Sequence, residues 1–251
     1  AAAAISSDGK TVYIGSSQKT LFALNRESGA TLWERTFPSS LSSQPLYIPA
    51  GTAGPEALLI LGEDAGVVTA LEASSGQQRW SYRTRGPVQT QPLLSGSLVY
   101  ITSNEGRVYA LDVRTGAWRW QYERETADTF SVRGQSGVLR AGDRVFVGFP
   151  DGYLSCLNAE TGEVIWNRAL AGEATRFTDV DGTPAVIGDL LVVSCYASGL
   201  HGLDIKDGST RWRYDIDAAG PLSVDAAKGR IYVSSPTQGL FCLDAKGRKL
   251  W

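Results

Sequence analysis

Two stretches of the 251-residue chain carry side chains whose types and spacing suit recognition chemistry. In the first, Thr129-Phe-Ser-Val-Arg-Gly-Gln-Ser136, an extended backbone puts Phe130 and Val132 on one face with Arg133 beside them. The second, Ala174-Thr-Arg-Phe-Thr-Asp-Val-Asp-Gly-Thr-Pro184, puts Asp179 and Asp181 on a shared face and adds Arg176. An apolar pair, two arginines and paired carboxylates make up the chemistry of a protein–protein contact. On residues alone other roles stay open. Asp179 and Asp181 could cap turns, Asp-x-Asp could hold a metal, and Arg133 could pair with Asp179 inside the protein.

Catalytic chemistry has less to work with. The single histidine, His201, sits in a strand position that other repeats fill with Phe22, Thr69, Tyr109, Ser155 and Phe241, so it reads as a packing variant rather than a base. Cys156 and Cys242 take a position held elsewhere by Ala23, Ala70, Ala110 and Gly202, which marks them as small buried residues. Cys195 lies in the preceding strand of its repeat, and nothing suggests a metal site. No glycine-rich loop follows a strand and opens a helix, as phosphate binding would require. No catalytic residue, cofactor or metal ligand is assigned.

The elements that must position these stretches come from a repeat. A strand, a tight turn and a return strand ending on tryptophan recur six times, as in Tyr153-Leu-Ser-Cys-Leu-Asn-Ala-Glu-Thr-Gly-Glu-Val-Ile-Trp166. The closing tryptophans are Trp33, Trp80, Trp120, Trp166, Trp212 and Trp251. Their period, roughly 40–45 residues, suits four strands per unit and therefore the blades of an all-β propeller built from antiparallel sheets. One tryptophan per blade reads as packing between neighbouring blades, in preference to an aromatic ligand cage. A strand before each hairpin is visible in Val12–Gly15, Leu98–Ile101 and Arg144–Val147, whereas the first strand of each blade is marked only by a proline such as Pro45, Pro92, Pro184 or Pro221.

The chain is expected to form a single propeller domain over residues 1–251, with blades at about 1–37, 38–82, 83–122, 131–168, 181–214 and 222–251. The hairpins keep one length. Gly15 to Trp33, Gly62 to Trp80, Thr102 to Trp120, Gly148 to Trp166 and Ser194 to Trp212 are equal intervals, and Ser234 to Trp251 is shorter by a single position. The intervals that follow the tryptophans are unequal. Trp80 to Thr102 and Trp212 to Ser234 are short, whereas Trp33 to Gly62, Trp120 to Gly148 and Trp166 to Ser194 are long. Length variation is thus expected between blades and on one rim, which marks a binding face. Both recognition stretches lie in long intervals, on adjacent blades.

Composition sets further bounds. A net charge of −2 without a basic cluster argues against nucleic acid, and no apolar run reaches membrane-spanning length. Methionine is absent and the sixth unit stops on its tryptophan, so the chain is expected to be part of a longer product.

The repeat Leu-Asp-x-x-Thr-Gly-x-x-x-Trp resembles that of pyrroloquinoline-quinone (PQQ) dehydrogenases, which use an adjacent cysteine pair, calcium and an aspartate base. This chain has no adjacent cysteines. The stretches Phe-Ser-Val-Arg-Gly-Gln-Ser and Arg-Phe-Thr-Asp-Val-Asp-Gly-Thr-Pro resemble two hallmark segments of the BamB family, and the likeness runs over essentially the whole chain, matching that family's first six blades. The resemblance implies an eight-bladed, non-enzymatic periplasmic lipoprotein, tethered to the outer membrane by a lipid anchor outside this chain. It further implies a scaffold in the outer-membrane barrel assembly machinery, docking on a periplasmic POTRA domain of BamA and helping deliver nascent barrel proteins. Carried over by position, the contacts fall on Phe130, Val132, Arg133, Asp179 and Asp181. The departures are Phe130 and Val132 in place of leucines, Gly182 in place of threonine, and the absence of two further blades, a signal sequence and a lipidated cysteine. The alternatives are a PQQ-dependent enzyme and an extracytoplasmic ligand-sensing propeller.

Overall fold

The structure is a computed structural model that describes residues 3–124, 136–172, 178–180 and 182–251. Its described residues form strands and turns, with no helix, arranged as six antiparallel sheets in two compact units, Ala1–Glu123 and Arg124–Trp251.

In the first unit, one sheet comprises β1 (Ala4–Ile5), β2 (Thr11–Gly15), β3 (Thr20–Asn25) and β4 (Thr31–Thr36). The next comprises β5 (Leu46–Ile48), β6 (Leu58–Gly62), β7 (Val67–Glu72) and β8 (Gln78–Arg83), and the third β9 (Leu93–Ser95), β10 (Leu98–Ser103), β11 (Arg107–Asp112) and β12 (Trp118–Glu123). The second unit holds β13 (Leu139–Ala141), β14 (Arg144–Gly148), β15 (Tyr153–Asn158) and β16 (Val164–Ala169) in one sheet. A further sheet has β17 (Ala185–Ile187), β18 (Leu190–Cys195), β19 (Gly199–Asp204) and β20 (Thr210–Tyr214), and the last has β21 (Leu222–Asp225), β22 (Arg230–Ser235) and β23 (Gly239–Asp244). Within each sheet strands pair in chain order, the meander of a propeller blade. The first strands begin just after Pro45, Pro92, Pro184 and Pro221, because proline has no N–H to give to a ladder.

Side-chain alternation builds the core. In β6, Leu59 and Leu61 pack with Tyr13, Leu21 and Ala23 of the first blade, while Leu58 and Ile60 pack with Val99, Ile101 and Leu111 of the third. A strand covered on both faces needs apolar residues at every position, and burying each such side chain stabilises by roughly 2 kcal/mol.

The repeat's fixed residues make a clasp between blades. Asp112 turns the third hairpin by accepting the N–H groups of Arg114 and Thr115, each at 3.1 Å. Trp80 of the preceding blade donates its indole N–H to the Val113 carbonyl at 3.0 Å, and its ring covers Gly116. Gly116 has φ +71°, and a Cβ there would lie 2.6 Å from the ring, so conformation and space both demand glycine. Trp33 and Trp212 donate in the same way to the Ala73 and Ala245 carbonyls, at 3.1 and 3.0 Å. The small residue opposite each tryptophan (Ala23, Ala70, Ala110, Cys156 or Gly202) is small because the indole folds over it.

A second regularity concerns charge. In three of the four blades whose turn residue is acidic, an arginine just before the tryptophan pairs with it: Arg79 with Glu72, Arg119 with Asp112 at 2.8 Å, Arg211 with Asp204 at 2.6 Å; in the sixth blade Arg248 pairs with Asp244 instead. Where the turn residue is Asn25 or Asn158, the arginine gives way to exposed Leu32 or Ile165.

One expectation is corrected. The extra length of the first long interval lies between β5 and β6, in residues 49–57, at the end of the blade opposite the connector. Pro49, Gly51, Gly54 and Pro55 break pairing there. The connector proper, from a tryptophan to the next blade's first strand, has the same short length from Trp33 to Leu46 as from Trp80 to Leu93. From Trp120 to Leu139 and from Trp166 to Ala185 it is longer, and equally so. Between the described strands, only the two connectors with recognition stretches are lengthened in this way.

Candidate interaction surface

Among the described residues, three connectors land on the end of the second strand of the blade they leave. Leu41, Val88 and Val180 pack over Gly15, Gly62 and Gly148, positions where a Cβ would collide with them. The connector backbone is pinned by N–H donation from Val88 to Glu63 at 3.2 Å and from Val180 to Phe149 at 3.1 Å. It then accepts from the next blade, through Asp64 to Ser40, Asn104 to Pro87 and Tyr196 to Asp179, at 2.9–3.0 Å. In the first unit side chains extend this pattern, with Ser42 and Gln89 both donating to Asp64 and Asn104 donating to Gln89.

Of the recognition residues, Asp179 is described. It is only 1% exposed, and its carbonyl bridges to the Tyr196 N–H, so it lies within the rim rather than on it. Thr178 anchors the same segment by donating to the Pro150 carbonyl at 2.9 Å. Phe130, Val132, Arg133, Arg176 and Asp181 lie outside the described residues. The ends of the two stretches do meet. The hydroxyl of Ser136, fully buried, is shared between the Gly137 carbonyl at 2.8 Å and the Gly182 carbonyl at 3.1 Å, and Gly137 lies so close to Thr183 that a Cβ would clash with the threonine hydroxyl. Sequence reasoning missed Ser136 as a junction because its partner is 46 residues away, and a lone serine carries no local signal.

The remaining chemistry-bearing groups are buried. His201 is 5% exposed, with Nε2 2.7 Å from the Ser198 hydroxyl. Burial, and secondarily the Arg213 charge, lowers its pKa to about 4, while Asp215 opposes them. The three cysteines are buried and form no disulfide, and burial pushes the Cys156 thiol up to about 12. Among the described residues no three His, Cys, Asp or Glu side chains are grouped to hold a metal ion, and no helix is long and apolar enough to cross a membrane.

Comparison with known proteins agrees with this geometry. The chain is similar to the outer membrane protein assembly factor BamB of Yersinia pestis, 26% identical over 95% of this chain and 62% of the relative. It is similar to that of Burkholderia pseudomallei, 27% identical over 86% of this chain and 56% of the relative. The chain thus spans about three fifths of the length of these curated relatives. Among solved structures, BamB from Moraxella catarrhalis superposes with TM-score 0.83 at 24% identity, covering all of this chain and 74% of that one. The computationally designed Ika8 protein superposes with TM-score 0.76 at 14% identity, over 96% of this chain and 70% of that one. The family model described as outer membrane protein assembly factor BamB matches residues 1–48 and 43–251. With the match running from one end of the sequence to the other, the chain belongs to the BamB family of outer membrane protein assembly factors.

Proposed function

We propose that the chain is the propeller portion of an accessory subunit of outer-membrane barrel assembly, held in the periplasm by a lipid anchor elsewhere in the protein. It acts without catalysis, as a scaffold. The two lengthened connectors dock on a periplasmic POTRA domain of a BamA-like partner and bring nascent outer-membrane proteins to it. Phe130 and Val132 supply apolar contact, Arg133 and Arg176 and the Asp181 carboxylate supply directional charge, and Asp179 holds the second connector from beneath.

The observation that carries this reading is that, between the described strands, these two connectors are the long ones, and that their described ends meet through Ser136 and Gly182. The test is co-purification of the full-length protein with the periplasmic domains of BamA. Asp179 is unsuited to charge reversal because an arginine would have to be buried in its place. Arg133→Glu with Arg176→Glu should abolish co-purification while leaving the melting temperature near wild type. Retention of the partner by that double variant overturns the docking.

A further inference from the structure

The groove between the first and second blades lacks the pair of rings that closes two of its sister grooves. Between the second and third blades Tyr82 meets Tyr109 edge-on with centroids 6.0 Å apart, and between the fifth and sixth Tyr214 meets Phe241 at 6.2 Å. In the first groove the corresponding residues are Arg35 on β4 and Thr69 on β7. Arg35 is drawn aside to the Gly76 carbonyl at 2.8 Å and to Gln78 Oε1 at 2.9 Å. Thr69 faces another small residue, Ser81, across the β7–β8 ladder. What remains is a cavity of about 350 Å³, of a size for a small ligand such as a monosaccharide.

Its floor is unusual within the repeat. Glu63 follows Gly62 where the other blades have Ser16, Ser103, Phe149, Cys195 and Ser235, and it is only 2% exposed. Its carboxyl accepts long hydrogen bonds from the hydroxyls of Thr69 at 3.3 Å and Ser39 at 3.4 Å and a further one from the Ser39 backbone N–H, and burial raises its pKa. A carboxylate offers about four acceptor sites, so this one retains capacity for a further hydroxyl partner. The mouth carries Gln78, Ser81 and Arg83, all exposed, and Arg83 has no ion-pair partner among the described residues.

These features select a ligand. An apolar guest would leave the Glu63 carboxyl short of partners, and a cation would meet Arg35 and Arg83. A hydroxylated guest satisfies the floor, and a carboxylate on it satisfies the free guanidinium at the mouth. We propose that this cavity binds a small sugar acid, its hydroxyls on Glu63, Thr69 and Ser81 and its carboxylate on Arg83. The site is independent of the docking surface.

The experiment titrates glucuronate, and separately glucose, into the full-length protein and follows binding by calorimetry and NMR shifts. Glucuronate should bind in the millimolar range and more tightly than glucose, and Arg83→Ala should reduce it to the affinity of glucose. Thr69→Phe puts there the ring that Phe22 and Phe241 provide in other blades, so it should fold, melt somewhat below wild type because Glu63 loses the Thr69 hydroxyl, and bind neither sugar. Absence of glucuronate binding overturns the proposal, as does equal binding of the two sugars. So does unchanged glucuronate binding in Arg83→Ala, which keeps the test decisive if Thr69→Phe fails to fold.

Discussion

The Ser136 hydroxyl donates to the Gly182 carbonyl at 3.1 Å, joining the end of one lengthened connector to the end of the next. Both groups are buried, so Ser136→Ala leaves a carbonyl short of a partner and should cost about 1–2 kcal/mol. If the junction orients the docking surface, the same variant should weaken co-purification with BamA periplasmic domains although Ser136 touches no partner. Undiminished binding in a folded, slightly destabilised Ser136→Ala protein would separate the junction from docking.

Trp80 and Gly116 should behave as one unit. Trp80→Ala removes a buried indole and its hydrogen bond to Val113, costing about 3–5 kcal/mol. Gly116→Ala adds a collision with that indole to the strain of positive φ, for about 3 kcal/mol in all. With the indole already absent only the φ strain remains, about 1 kcal/mol. Urea unfolding of both single variants and the double should therefore show strong non-additivity; simple addition of the two costs would mean that the clasp is not an energetic unit.

The cysteines give a chemical readout of the core. All three are buried, and the Cys156 thiol is pushed up to about 12, so almost no thiolate exists near neutral pH. A thiol reagent at mildly alkaline pH should leave the native protein unmodified and label every cysteine once urea unfolds it. Rapid labelling of Cys156 in the native state would contradict the packing of β15 against Trp166.

These features differ in how far the sequence could announce them. The clasp's parts are legible because Trp80, Asp112 and Gly116 recur at fixed spacing, and a repeated residue reveals its role six times over. Its geometry is less so, since the indole reaches the next blade's hairpin, 33 residues on at Val113, and spacing within one repeat does not encode that. Interval lengths locate the variation but not which loop holds it, so residues 49–57 fall at the other end of the blade from the one expected. Asp179 reads as a surface acid because carboxylates are seldom buried, and only tertiary structure puts it beneath the rim. Glu63 and Thr69 pass as ordinary variants because each departs from the repeat singly. The cavity exists only where the two departures meet.

His201 should give the protein a measurable acid sensitivity. The imidazole is buried against Ser198, with Arg213 disfavouring its protonation more than Asp215 favours it, and its folded pKa is about 4 against an ordinary 6.5. Because the folded state resists protonation, the unfolded chain takes up a proton first as pH falls. The neutral histidine's contribution is therefore complete above pH ~6.5, declines as pH drops from there, and is lost by pH ~4. The full difference amounts to about 3 kcal/mol. His201→Phe, the residue that other blades carry in this slot, should flatten the stability profile between those limits. It should also cost about 1 kcal/mol at every pH through the partner lost by Ser198. Denaturant unfolding of both proteins from neutral pH down to the folded pKa measures the slopes directly. Parallel profiles would show that the histidine does not titrate against folding, and that other groups set the acid limit of the blade.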